Sequence, residues 1–387
     1  MFSPFLRVAF VLVLVVVVSI PAAFAQDDDW TCDEGPNDIL NAAWAAFDAG
    51  DLDTAEALAV EAQTVCASNF TRMMEANPLL NEINAARAAE QPSEDGPAYA
   101  DVRYGPADGS PRQVLDVFLP DDVAGPLPVV LLFHGSGGSK ESHLYEARRI
   151  TGWGYAAVPV EYREQAGATT ADRVKYMVAD AFCALAWVQA EGAAYDLDPA
   201  HVVIGGYSQG GYVSSLLGTI DDPAMFADDC SYDLPDMAMM QEVVRGIITA
   251  GGPVGDPATV LNDDYRLNLL TVRYNVEPDE MIEVLELLQS MPIDAWRTQT
   301  DWPNLAVSVA QAHPLFWIDG SEPPFLVLHS ETDDIIPIGE AEALAAALES
   351  SGSDVTLVIA PRVGHASLSS YYAEVKAFLA DVFAAEE

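Results

Sequence analysis

The chain has 387 residues, enough for one large domain with additions or for two modest ones. It carries 60 Asp and Glu against 17 Lys and Arg, a formal net charge of −43. That balance excludes a nucleic-acid binder and a protein held on anionic lipid, because no cluster of cations is available to replace phosphate counterions.

The amino terminus reads as an export signal. Arg7 is the only charge ahead of an apolar run over 8–20, Pro21 breaks the run, and Ala23-Phe24-Ala25 has the small-x-small pattern of a signal peptidase site. The run is short for a membrane span. Cleavage after Ala25 is expected, which gives a secreted or extracytoplasmic protein with no membrane span; a surface-anchored form is the alternative. Residues 26–36 form an acidic leader and 37–97 a helical region with its linker. Ile39, Leu40, Ala43, Trp44 and Phe47 recur at helical spacing, Gly50-Asp51 breaks the pattern, and Thr54 to Leu58 resumes it. This hairpin resembles one tetratricopeptide-type pair, and with no second copy it is expected to pack on the main domain. A third helix is expected over 79–89, and 91–97 is linker by composition.

The character changes at residue 98. Strands are expected at 98–104 and 112–119, then strand 129–133, helix 139–151, strand 155–161, helix 171–190, strand 201–205 and helix 211–219. Strands at 243–250, 325–329 and 355–360 follow, with helices at 339–349 and 366–385. Apolar strands alternating with helices predict an α/β domain over 98–387, its sheet mostly parallel and covered on both faces. Residues 252–322 interrupt the rhythm with helical patterns at 280–288 and 302–312 and are too long for a loop, so a helical cap over the active site is expected. Its Met281, Met291, Trp296, Trp302, Phe316 and Trp317 either line a pocket or form the cap's own core, and the core is the plainer reading.

Four cysteines in an exported chain suggest disulfides. Proximity in sequence favours Cys32 with Cys66 and Cys183 with Cys230 among the three possible pairings. None has C-x-x-C spacing, so no zinc site is expected.

Chemistry enters at Gly206-Tyr207-Ser208-Gln209-Gly210, which follows an apolar strand and opens a helix. A serine on such a turn is pushed clear of the sheet, and small neighbours let the turn close. A hydroxyl nucleophile needs a base, and the base needs a carboxylate to fix its tautomer. Of six histidines only His365 follows both the serine and an acid loop, in a turn after the last strand. The acid lies in Ser330-Glu331-Thr332-Asp333-Asp334; Asp333 fits best by register with Ile336-Pro337, and Asp334 stays open. The turn His134-Gly135-Ser136-Gly137-Gly138 can aim backbone N–H groups at an oxyanion. This assigns Ser136 and Gln209 as donors, with Gly137 as a third candidate. The turn fails the phosphate-loop pattern, since Ser139 rather than glycine precedes Lys140.

From residue 98 onward these motifs, in this order, resemble the α/β-hydrolase superfamily, within the esterases and lipases that include acetyl-xylan and feruloyl-type (BD-FAE-like) enzymes. Further matching residues are Leu115 to Pro120, Glu161-Tyr162-Arg163, Asp180 with Ala186-Trp187, and Pro323 to His329. Two departures stand out: the acid loop opens His329-Ser330 where His-Gly is usual, and Ser136 interrupts the glycines of the oxyanion turn. The resemblance implies a serine hydrolase that cleaves carboxylic esters, small or polymer-linked, through an acyl-enzyme, with no cofactor or metal. A peptidase of the prolyl-oligopeptidase type shares the order of the triad, though the amino-terminal region is short for a propeller. A hydrolase-fold binding or carrier protein is the reading from another class.

Overall fold

The computed structural model describes residues 37–52, 54–55, 58–59, 62, 79, 83, 96–121, 123, 125–164, 170–226, 230–256, 267, 270–271, 276–299, 301–361, 363–365 and 367–384. The expected signal segment, the expected acidic leader, Cys32 and Cys66 lie outside them.

Eight strands form one sheet among the described residues. They are β1 (Tyr99–Arg103), β2 (Val114–Val117), β3 (Leu127–Phe133), β4 (Ala156–Glu161), β5 (Leu197–Tyr207), β6 (Val244–Ala250), β7 (Phe325–Ser330) and β8 (Val355–Ala360). Their order is β1-β2-β4-β3-β5-β6-β7-β8. The β1–β2 and β2–β4 pairs are antiparallel, and every pair from β4 onward is parallel.

The two-residue period of the strands sorts their side chains onto two faces. Val129, Leu131, Phe133, Val202, Ile204 and Val327 share one cluster with Phe182 and Trp187 of α3 (Thr170–Glu191), Leu216 of α4 (Gln209–Thr219) and Leu344 of α8 (Gly339–Ser351). Val130, Leu132, Val203, Ile248 and Leu328 share the other with Ile150 of α2 (Leu144–Thr151) and Leu379 of α9 (Tyr372–Ala384). Helices therefore cover both faces. Each fully buried aliphatic side chain contributes roughly 1.5–3 kcal/mol by transfer from water, so this double core carries most of the fold's stability.

Several boundaries differ from the sequence reading. β5 starts at Leu197, because Leu127 N–H bonds the carbonyl of Asp196 and draws the earlier residues into register beside β3. Helix α4 starts at Gln209 rather than 211, so Gly210 and Gly211 are helical despite their low propensity. The segment 366–385 begins as a 3₁₀ turn, Leu368–Tyr371, ahead of α9. A short helix α5 (Met237–Val243), capped by Asp236 accepting from Met239 N–H, had no clear sequence signal.

In the inserted segment, α6 (Pro278–Gln289) and α7 (Asn304–Gln311) bury Met281, Leu285, Trp296 and Val309 in a cluster of their own, with Met291, Trp302 and Phe316 packed against it. Trp317 belongs instead to the main core. The insertion is tied down where Tyr212 of α4 donates to the carbonyl of Ala312. Near the amino terminus, α1 (Asn37–Asp48) supplies Leu40 and Ala43 to a cluster with Leu52, Ala55, Ala59, Leu79 and Ile83. Cys183 of α3 is bonded to Cys230.

Candidate active site

The turn after β5 is strained, and its neighbours enforce the strain. Ser208 has φ 53° and ψ −123°, a conformation L-residues seldom adopt. Its N–H donates to the carbonyl of Ala250 at 2.7 Å, and its own carbonyl accepts from Tyr212 N–H. A side chain at Gly210 would lie 1.8 Å from the carbonyl oxygen of Phe133, and one at Gly206 would lie 2.5 Å from Gly210. Glycine at these two positions is thus a steric necessity: strand β3 and helix α4 touch backbone to backbone.

The loops after β7 and β8 converge on the same end of the sheet. His365 Nδ1 lies 2.8 Å from Asp333 Oδ2. Asp333 Oδ1 accepts the N–H groups of Ile335 and Ile336 at 3.0 and 2.8 Å, so the buried carboxylate has one oxygen for its own loop and one for His365. Glu331 and Asp334 are exposed. Of the three crowded acids, Asp333 is the one that faces the histidine. His329 Nε2 donates to the carbonyl of Ile336 at 2.8 Å, which closes the acid loop from beneath. Burial, with Asp333 nearby, pushes the Tyr371 phenol well above its ordinary value, so it stays protonated.

Residues 250 and 251 join the two halves of the site. Ala250 holds the Ser208 backbone, and a Cβ on Gly251 (φ +54°) would lie 3.3 Å from Asp333 Oδ2 and 3.4 Å from His365 Cε1. Sequence reasoning passed over Gly251; its only signal was Gly251-Gly252 at the end of an apolar strand.

The oxyanion turn requires one correction. Gly137, the third candidate donor, gives its N–H to both oxygens of Glu164 at 3.0 and 2.9 Å, so it is spoken for. The N–H of Gln209 is the first of α4 and has no acceptor within the helix. Ser136 sits at the tip of the turn. Gln209 Nε2 donates to Tyr162 Oη and to Glu164, both at 3.2 Å, and Tyr162 donates to the carbonyl of His134 at 2.6 Å. The stretch that carries Tyr162 and Glu164 is pinned by the half-buried Arg163, paired with the buried Asp180 at 2.7 Å. Burial drives His134 down to about 3, and its Nδ1 donates to Gly135 at 2.8 Å, so the ring is a neutral prop stacked on Tyr162. Lys140 is no phosphate ligand: its ammonium rests on Asp116 and Asp101 at 2.9 and 3.2 Å. Among the described residues no group of three or more His, Cys, Asp and Glu could hold a metal ion.

This geometry can be set beside known proteins. The profile of the BD-FAE family matches residues 115–264, and that of the prolyl oligopeptidase family matches 287–386. Esterase LipQ of Mycobacterium tuberculosis is 26% identical over 277 residues, 69% of this chain and 56% of its own length. The chain spans little more than half the length of the curated relatives it matches. Among solved structures, esterase B of Lactobacillus rhamnosis superposes with a TM-score of 0.56 at 15% identity, covering 81% of this chain and 96% of its own. The thermophilic esterase Est2 of Thermogutta terrifontis gives 0.52 at 20% identity, covering 75% and 94%. The chain has the α/β-hydrolase fold. Within that fold its resemblance is to BD-FAE-type carboxylesterases, and the matched region takes in Asp116, the 134–138 turn and the elbow. The residues around this site that sequence reasoning missed are Glu164, Gly251 and the loop hydroxyls beside Asp333. Each acts through a contact between loops distant in sequence, which no local motif encodes.

Proposed function

We propose that the protein is an exported serine hydrolase that cleaves carboxylic esters through an acyl-enzyme. Ser208 Oγ attacks the acyl carbon while His365 Nε2 takes its proton. Asp333 holds the Nδ1–H tautomer and stabilises the imidazolium as it forms. The N–H groups of Ser136 and Gln209 receive the negative oxygen, a contribution typically of about 2.7–4 kcal/mol per donor. His365 then protonates the departing alcohol, and water, activated by the same ring, releases the acid and restores Ser208. The proton taken from Ser208 leaves on the alcohol and one drawn from water replaces it, so the triad is restored without a cofactor.

The observation that carries this reading is the 2.8 Å hydrogen bond between His365 and Asp333 on adjacent strand-end loops, linked through residues 250–251 to the strained Ser208. The esterase names of the relatives support the ester class. Export, with cleavage after Ala25, rests on the apolar run over 8–20 and Ala23-Phe24-Ala25, and the Cys183–Cys230 bond is in keeping with an oxidising compartment. A cap role for 252–322 is part of the same proposal.

Hydrolysis of p-nitrophenyl esters from acetate to palmitate tests it, with Ser208→Ala in parallel and salt varied. Turnover abolished in the variant supports the reading, and the chain-length optimum sizes the acyl site. A folded, inactive wild type would refute it. The prolyl oligopeptidase match over 287–386 favours one second reading, a peptidase; preferential cleavage of peptide amides over esters would bring it forward.

A further inference from the structure

The β7–β8 ladder ends at the pair Ser330 and Ala360, and beyond it the chains diverge into the loops that carry Asp333 and His365. Glu331 N–H still reaches the carbonyl of Ala360 at 2.8 Å. After that the acceptors are side chains. Ser330 Oγ, on a residue only 2% exposed, accepts the N–H groups of Val363 and of Thr332, each at 3.2 Å. Thr332 Oγ1, 3.2 Å from Ser330 Oγ, accepts Gly364 N–H at 3.2 Å. Two consecutive N–H groups of the histidine loop, those immediately before His365, are therefore held by hydroxyls of the acid loop.

We propose that Ser330, assisted by Thr332, is a positioning residue that sets His365 against Asp333. The inference rests on the reading of those two as base and orienter. The chain's departure from His-Gly at 329–330 then has a mechanical meaning, because glycine offers no acceptor to Val363. Consecutive Cα atoms are about 3.8 Å apart, so anchoring Gly364 leaves the His365 backbone little room to drift. Among the described residues, the hydrogen bond that would still tie the histidine loop to the acid loop past residue 331 without the hydroxyls is the one between His365 and Asp333. The catalytic hydrogen bond would then have to supply its own geometry, and a displacement of about 1 Å can cost about 100-fold in rate.

The test compares Ser330→Ala, Thr332→Val, the double variant and the conservative Thr332→Ser, in the full chain. Two readouts are taken: kcat against KM on p-nitrophenyl acetate, and the downfield proton resonance of the His365 Nδ1–H bond. That resonance is assigned by its loss in His365→Ala and needs no substrate. Ser330→Ala is expected to lower kcat roughly 10- to 100-fold with KM within about twofold, and to broaden the resonance. Thr332→Val, on an exposed residue, keeps the fold and should lose a few-fold, while Thr332→Ser restores it. A double variant with wild-type kcat and an unchanged resonance overturns the proposal, as does Thr332→Ser falling as far as Thr332→Val. Failure of the esterase reading looks different: an inactive wild type, or an active Ser208→Ala, with the proton resonance still reporting on the clamp.

Discussion

Asp333→Asn isolates the role of one carboxylate oxygen. The Oδ1 position accepts two backbone N–H groups, from Ile335 and Ile336. An asparagine that turned its NH₂ toward them would leave two buried donors unpaired, at about 1–3 kcal/mol each. The amide oxygen must therefore stay at Oδ1, and the NH₂ takes the place of Oδ2, 2.8 Å from His365 Nδ1. Facing a donor, Nδ1 becomes the acceptor and the proton moves to Nε2, where it blocks abstraction from Ser208. The same exchange in a Ser-His-Asp triad costs about 10⁴ in kcat, or about 5.5 kcal/mol of barrier. Stability should fall only by about 1 kcal/mol, since both backbone bonds survive with a neutral acceptor. Single-turnover and steady-state hydrolysis of p-nitrophenyl acetate, beside a thermal melt, measure both. A folded Asp333→Asn that keeps more than about a tenth of wild-type kcat would refute the tautomer argument. Asp334→Asn, an exposed change, should stay within about twofold.

The Gly210→Ala variant should not fold at the sheet's centre without moving strand β3, since its Cβ would sit 1.8 Å from the carbonyl oxygen of Phe133; loss of soluble protein or a melt lowered by well over the usual 1–3 kcal/mol of overpacking is expected. Reducing Cys183–Cys230, which spans 47 residues, should cost about 4 kcal/mol by chain entropy, seen as a lower urea midpoint with dithiothreitol. His134 sets an acid slope: its folded value of about 3 lies below the unfolded 6.5, so the unfolded chain takes the proton first. Its contribution is whole above about pH 6.5 and is lost as pH falls toward 3. Glu161, raised by burial, leans the other way, so the quantity to read is the difference in urea midpoint between wild type and His134→Phe at pH 7 and pH 4; equal slopes would refute it. Glu164→Ala leaves Gly137 N–H without its carboxylate and should cut kcat about tenfold, whereas Glu164→Gln, which keeps an acceptor, should recover most of it.

What could be read from the chain followed locality. Strand periods and the 206–210 elbow are each written within a few residues, Ser208, Asp333 and His365 each follow an apolar strand in chain order, and the sheet then carries them to one end because parallel strands end together. Gln209 starting α4 was harder to see, since two following glycines argue against a helix; the close approach of Phe133 to Gly210 and of Thr249 and Ala250 to Gly211 explains why they stand there. The place of Gly137 as a third candidate donor was open for a similar reason. Its partner, Glu164, is 27 residues away, and a glycine-rich turn does not say which of its N–H groups another loop will claim. Among Glu331, Asp333 and Asp334, register with Ile336-Pro337 favoured Asp333 but left Asp334 open; the N–H groups of Ile335 and Ile336 gather around the Asp333 carboxylate and leave its neighbours in solvent.

The same distinction explains where this site is exposed to change. Ser208 is held by backbone contacts that any substitution at Gly206 or Gly210 would break, so the geometry of this proposed nucleophile is bound up with folding itself. His365 is held by one carboxylate, and the two residues before it by hydroxyls of the acid loop. Substitutions around the serine should therefore lose protein, while those around the histidine should lose rate and keep protein. A library scored separately for abundance and for ester turnover would separate the two classes, and a histidine-loop set that lost abundance as severely as the elbow set would break the argument.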